Sequence, residues 1–271
     1  MPSKIKIPEN LVVLHVKQDS DNSFEVSTGD QRTKKPIAIR SMEEKQTIFV
    51  QEQLTSSFDE EEISIAVPNE IAMSLSTASR CIKSADALRK NIKTIIKENK
   101  KNFINSDLTI IYDYISLVQQ GVVFAYRAIE AFSNTCIPDD YVYTKKTSKG
   151  TIESFNKDSI ERWITTSVKI GEIIPAIMQT PSPKKEKFWP HFMELEKLRN
   201  DIIHTKSTTT QQTLSQLLSP HTPKIAQSSA DLLAYFIKTD PHNPSFPLGF
   251  GESYIKLINL DSFKGKLEKA K

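Results

Sequence analysis

With 271 residues, 38% hydrophobic and 25% charged, the chain is long enough for one or two domains and too apolar to be disordered throughout. A net charge of +3 is too small to imply nucleic acid by itself, but it is unevenly spread: residues 1–68 hold 8 Lys/Arg against 12 Asp/Glu, and the basic excess lies after them. Cys81 and Cys136 have no partner at metal-ligand spacing and read as free thiols, which excludes a disulfide framework. Met1-Pro2-Ser3-Lys4-Ile5-Lys6 leads into no long apolar core, so no signal peptide is expected. No stretch reads as apolar enough to span a bilayer, so the expectation is a cytoplasmic protein with no membrane contact.

Residues 1–68 read as short strands: Leu11-Val12-Val13-Leu14-His15-Val16, Ile37-Ala38-Ile39, Thr47-Ile48-Phe49-Val50 and Ile63-Ser64-Ile65-Ala66-Val67, separated by polar segments such as 19–23 and Thr28-Gly29-Asp30. Pro68-Asn69 ends that signal and offers a helix cap. Apolar residues then recur in steps of three and four from Ile71 to Ile96, which predicts a long amphipathic helix with Lys83, Lys90 and Lys97 on its outer face. Ser106-Asp107 starts a second helix to about 135. Lys145 to Gly150 reads as a polar connection. A third helix starts near Asp158 and meets Pro175, which kinks or ends it because proline lacks an amide donor. After Pro181-Ser182-Pro183 come a fourth helix over about 185–205, a polar turn at Ser207 to Thr210, and two shorter helices over about 211–219 and 223–238. Tyr254 to Ile258 offers a returning strand.

The expected architecture is mainly α: an antiparallel helical bundle over 69–240, a small β-rich region over 1–68, and a tail over 241–271 that packs on that region, joined by a C-terminal strand.

The fourth helix carries Arg199-Asn200-Asp201-Ile202-Ile203-His204. On a wheel with Leu195 at the origin, the core arc runs through Leu198, Ile202 and Ile203, and Arg199 falls at about 40°, inside it. A guanidinium there needs an acid, a phosphate or a shared groove, because an unpaired buried charge is very costly. Asn200 and His204 project at neighbouring angles, with His204 beside the turn that ends the helix. Together they form a fixed cation, an amide and a titratable imidazole. These are groups phosphodiester cleavage uses: the imidazole moves the proton of a 2′-hydroxyl or of the leaving oxygen, and the guanidinium stabilises charge on phosphorus. His191 falls on the apolar side and reads as a core histidine, and Phe188 and Trp189 read as packing. The five histidines show no zinc spacing, and the few glycines form no phosphate-cradling loop, so no metal or cofactor is expected.

The run 199–204 resembles the signature of the HEPN superfamily: an Arg, a polar follower, and a His after four to six intervening positions, late in a helical bundle. That resemblance covers about 70–238. It implies a metal-independent endoribonuclease that uses RNA as substrate and leaves a 2′,3′-cyclic phosphate and a 5′-hydroxyl. It implies a homodimer with both motifs lining one cleft, in a toxin or phage-defence setting with an antitoxin or sensor protein as a further partner. Arg199 and His204 would then be catalytic, with Asn200 orienting the His or the phosphate. An acid on an earlier helix would sit near the Arg; Glu130 in Ala128-Ile129-Glu130-Ala131-Phe132 is preferred to Asp113. Lys145, Lys146, Lys184 and Lys185, in connections flanking the helices, would guide RNA. The competing expectation is a non-catalytic helical adaptor that binds a protein or nucleotide.

Overall fold

The structure is a computed structural model that describes residues 11–18, 30–99, 105–148, 150–204 and 210–262. Several sequence readings fall outside it: residues 1–6, the polar segments at 19–23 and 28–29, the capping side chain of Ser106, the turn at 205–209 and the side chain of His15. The chain divides into two compact units, one of residues 1–72 with 240–271 and the other of 73–239.

The first unit is built on a five-stranded mixed sheet. β1 (Leu11–Gln18), β2 (Ile37–Ser41), β3 (Gln46–Phe58) and β4 (Glu61–Ala66) come from the N-terminal segment and β7 (Lys256–Asn259) from the tail. The order is β1-β3-β2-β7. β1 and β2 pair antiparallel with the first half of β3, β7 pairs parallel with β2, and β4 pairs with the second half of β3. Alternation on the pleat buries Ile39, Ile48 and Val50 on one face, where Leu11, Ile37, Ile258 and Leu260 pack against them. Ala38, Phe49 and Gln51 are buried on the other. The tail is held by a buried lysine: Lys35 Nζ donates to Ser253 Oγ at 2.6 Å, to Tyr254 O at 3.0 Å and to Pro241 O at 3.2 Å. Burial pushes this ammonium down to about 8. Asn69 caps the first helix, accepting from the Ala72 amide at 3.0 Å.

The second unit has eight helices among its described residues. They are α1 (Glu70–Asn99, whose first turn belongs to the first unit), α2 (Asn105–Thr135), α3 (Lys157–Trp163), α4 (Thr166–Val168), α5 (Ile174–Met178), α6 (Trp189–Ile203), α7 (Thr210–Leu218) and α8 (Thr222–Thr239). α1 and α2 run antiparallel: Ile82 lies against Gly121, Cys81 against Gln120 and Arg89 against Tyr114. Arg89 also donates to Leu218 O and Ser219 O, satisfying carbonyls left open at the end of α7. The core is the junction of α2, α6 and α8, where Phe132 meets Phe236 with ring centres 5.2 Å apart and Ile129, Phe192, Leu195, Leu198, Leu232 and Leu233 are fully enclosed. α2 is long and apolar enough to cross a membrane by length and composition, contrary to the sequence reading. In the fold its apolar stripe, from Tyr114 through Val118, Val122, Ala125 and Ile129 to Phe132, is buried.

The expectation of a mainly α protein is overturned. The described residues are 56% helical and 20% strand, a mixed α/β protein. Strand appears even inside the helical unit: β5 (Tyr143–Lys146) and β6 (Ile152–Phe155) form a two-stranded hairpin where a polar connection was expected. The third predicted helix is also broken. It starts next to the expected Asp158, capped by Asn156, but stops at Trp163, restarts at Thr166 and widens into a π turn over Lys169–Ile173 before Pro175. Pro175 has no amide to donate and its ring crowds the carbonyl four residues back, so a wider turn carries the chain past it.

Candidate functional site

α6 opens with Pro190 in its first turn and buries Phe192, Leu195 and Leu198. That arc is narrower than the wheel drew: Ile203 is half exposed, and His191 sits on the rim with Nδ1 3.8 Å from Glu194 Oε2 rather than in the core. Trp189 packs on Phe192 and Phe188 on Tyr235. Arg199 follows the buried arc by one residue and keeps 26% of its side chain exposed.

The side chains around Arg199 come from α2. Tyr126, Glu130 and Asn134 stand four apart and form one stripe along that helix. The guanidinium carbon of Arg199 lies 4.9 Å from the centre of the Tyr126 ring, a cation–π contact. Its Nη2 is 4.0 Å from Glu130 Oε2, and its Nη1 donates to Asn200 Oδ1 at 3.0 Å. Asp113 is exposed, and of the two acids considered Glu130 is the one that reaches Arg199.

Two further residues tie this arrangement to the broken helix region. The Tyr126 hydroxyl donates to Glu196 Oε1 at 3.0 Å, and the same oxygen accepts from the Ser167 amide at 3.2 Å. Thr165 precedes α4 without a side-chain capping bond, so Glu196 of α6 supplies the acceptor for that helix start. Burial pushes the Tyr126 phenol well above its usual range; the Thr166 hydroxyl works against that and the carboxylates of Glu196 and Glu130 add to it. Lys169, in the π turn, is 1% exposed and donates to Asn134 Oδ1 at 2.8 Å and to Glu161 O at 3.1 Å. Burial lowers its ammonium below the usual range, opposed by the charges of Glu130 and Glu161. Glu130 thus lies 4.0 Å from Arg199, and its charge also favours the ammonium of Lys169.

His204 is the C-cap of α6, with φ −111° and ψ 59°, outside helical geometry; its amide donates to Asn200 O at 2.8 Å. The wheel placed its ring beside Asn200, but a residue that has left the helix no longer follows the 100° step, and the Asn200 amide turns to Arg199 instead. His204 and Asn200 are both exposed.

The four lysines proposed to guide RNA are differently placed. Lys145 and Lys146 lie on β5, exposed, opposite Glu153 and Ile152 rather than in a loop. Lys184 and Lys185 occupy a single 3₁₀ turn, Pro183–Lys185. Lys184 Nζ donates to Glu172 Oε1 at 2.8 Å, and Tyr143 donates to the other oxygen at 3.1 Å. The bond from Lys184 holds the Glu172 carboxyl below its usual range, with a smaller pull from Lys145. The stem of Lys184 lies on the bare backbone of Gly171, where a Cβ would come within 2.5 Å of its Cε. Among the described residues no three of His, Cys, Asp and Glu gather as a metal ion would require.

Tyr126, Glu196, Asn134 and Lys169 were not singled out in the sequence. The i, i+4, i+8 stripe of Tyr126, Glu130 and Asn134 on a predicted helix was the available signal for the first and third. Lys169 gave none, because its burial depends on the π turn. No family model, no curated protein and no solved structure matches the chain.

Proposed function

We propose that the protein is a metal-independent endoribonuclease of the HEPN type, acting as a homodimeric toxin or phage-defence effector in the cytoplasm. The observation that carries this reading is the state of Arg199. It is held by Tyr126, Glu130 and Asn200 yet keeps a quarter of its side chain open, one short helical segment before the exposed His204. A cation fixed in this way is ready for a phosphate oxygen and needs little reorganisation when charge builds on it.

In the proposed reaction the neutral imidazole of His204 takes the proton from an RNA 2′-hydroxyl, and the freed oxygen attacks the adjacent phosphorus. Arg199 stabilises the pentavalent centre, with Asn200 orienting it. The P–O5′ bond breaks, and the leaving oxygen takes a proton from the imidazolium at the same position of a second copy facing the first. The products are a 2′,3′-cyclic phosphate and a 5′-hydroxyl. Glu130 positions Arg199, and Tyr126 and Glu196 hold the two helices at this spacing.

The test is cleavage of total RNA in EDTA by the wild type, Arg199→Ala and His204→Ala, with end-group analysis of the fragments. Each substitution is expected to lower the rate by about a hundredfold or more. Variants that cut as well as wild type, or cleavage that demands a divalent ion, would overturn the mechanism. A wild type that neither cuts RNA nor slows growth on expression would favour the adaptor.

A further inference from the structure

The second half of β3 leaves the body of its sheet. From Gln53 onward it pairs with β4, in the register Gln53 with Ala66, Leu54 with Ile65, Thr55 with Ser64, Ser56 with Ile63, Ser57 with Glu62 and Phe58 with Glu61. Directly opposed residues share a face. One face therefore carries Leu54, Ser56, Phe58, Glu61, Ile63 and Ile65, apolar apart from Ser56 and Glu61 at its outer end, and the other carries Gln53, Thr55, Ser57, Glu62, Ser64 and Ala66, with the Thr55 and Ser64 hydroxyls 3.3 Å apart. The apolar face is uncovered: Leu54 is 50% exposed, Phe58 67%, Ile63 37% and Ile65 42%. On β3 it lies on the same face as Ile48 and Val50, which are enclosed in the body of the sheet, with Glu52 between the two groups.

The edge is open as well. Among the described residues no strand pairs with the outer side of β4. Exposed edges are usually blunted by lysine, proline or a bulge, and Ile63-Ser64-Ile65-Ala66 has none of these. The tip is the two-residue turn Asp59-Glu60, both at positive φ, 47° and 72°, followed by Glu61 and Glu62. A two-residue turn of this hand makes the flanking pair, Phe58 and Glu61, the hydrogen-bonded one. Alternation then bonds Ile63 and Ile65 to β3 and points the N–H and C=O of Glu62, Ser64 and Ala66 outward.

We infer that β4 is a docking edge for an extended, basic segment of a partner protein, which adds to the sheet as a strand beside it. The unpaired backbone row selects an extended segment. The row of Ile63 and Ile65 selects apolar side chains at alternate positions. The four consecutive acids at the tip select lysine or arginine at the others. A second copy of this chain would bring another acidic strand and lacks that charge match. The inference does not depend on the nuclease reading.

The experiment titrates the full chain with a capped eight-residue peptide of alternating lysine and valine, and with its glutamate–valine counterpart, by calorimetry at two salt concentrations. The lysine peptide is expected to bind at a one-to-one ratio, more weakly at high salt, and the glutamate peptide is not. Ser64→Pro removes an outward donor while sparing the backbone bonds to β3; it loses only the exposed hydroxyl contact with Thr55. It is expected to weaken binding by about tenfold or more with an unchanged circular dichroism spectrum. Glu61→Lys with Glu62→Lys is expected to shift the preference toward the glutamate peptide. Absence of binding by the lysine peptide, equal binding to the proline variant, or an unshifted preference would overturn the proposal. So would self-association that Ser64→Pro abolishes, since the occupant would then be a second copy.

Discussion

Arg199 rests on Tyr126: its guanidinium carbon is 4.9 Å from the ring centre, and the hydroxyl of the same ring is bonded to Glu196 three residues earlier on Arg199's own helix. One aromatic side chain therefore supports the candidate catalytic cation from below and fixes the helix that carries it. The two roles separate by substitution. Tyr126→Phe keeps the ring and loses the bond, and is expected to cost about 1 kcal/mol of stability with RNA cleavage within a few-fold of wild type. Tyr126→Leu removes the ring face as well and is expected to cost about 2–4 kcal/mol and most of the cleavage rate. Urea denaturation and initial cleavage rates check both; equal effects of the two changes would reject the separation.

Glu130 is partly open to water, with 40% of its side chain exposed, and lies 4.0 Å from Arg199. An ion pair so exposed contributes under about 1 kcal/mol. Glu130→Gln is thus expected to leave the melting temperature nearly unchanged while lowering RNA cleavage about tenfold through a less constrained Arg199. A large stability loss with full activity per folded molecule would make Glu130 a structural residue only.

Lys35 gives the first unit a pH dependence of definite sign. Its ammonium is lowered from 10.5 to about 8 in the fold. Between those values the unfolded chain still holds a proton that the folded chain has released. Stability therefore rises with pH across that window, by up to about 1.4 kcal/mol per pH unit from this group, and below it the cost of the buried charge is borne in full. Lys35→Met should abolish the rise, and the comparison is urea denaturation of both proteins at pH 7 and pH 10. A wild-type stability that falls relative to the variant would reject the assignment.

Gly121 is where α2 closes on α1. A Cβ there would come within 2.7 Å of Ile82 Cδ1 and 2.9 Å of its Cγ1. Gly121→Ala is expected to destabilise by about 1–3 kcal/mol through overpacking, against the roughly 1 kcal/mol that alanine gains in a helix. In an Ile82→Ala background the clash is gone and the same change should become stabilising. That reversal, read from a double-mutant cycle, is the decisive result.

The parts of this fold legible in the sequence are those where a single face is buried along a regular element. Ile71 to Ile92 announces α1 because a long helix buries one stripe, and Arg199 stood out because it interrupts such a stripe. The hairpin of β5 and β6 was missed because Ile152 is 69% exposed and Lys145 and Lys146 face water; with neither face buried, the pattern has no alternation to read. Lys169 was missed for the opposite reason. A lysine between Val168 and Ile170 reads as a surface charge until the π turn directs it to Asn134 and the Glu161 carbonyl. His204 was named, but the helical wheel cannot orient a ring attached to a residue that has already left the helix.

Glu196 has a consequence for the order in which the site is assembled. Its one carboxylate oxygen accepts from Tyr126 of α2 and from the amide of Ser167 at the start of α4, so three segments distant in the chain meet on a single atom. Local helix formation creates none of these contacts; they are non-local and form only when α6 packs against α2 and the start of α4. The same docking encloses Phe192, Leu195 and Leu198 of α6 in the core, so the geometry around Arg199 persists for as long as that core does. Under the proposed reading, RNA cleavage and the tertiary signal of this unit should therefore be lost at the same denaturant concentration.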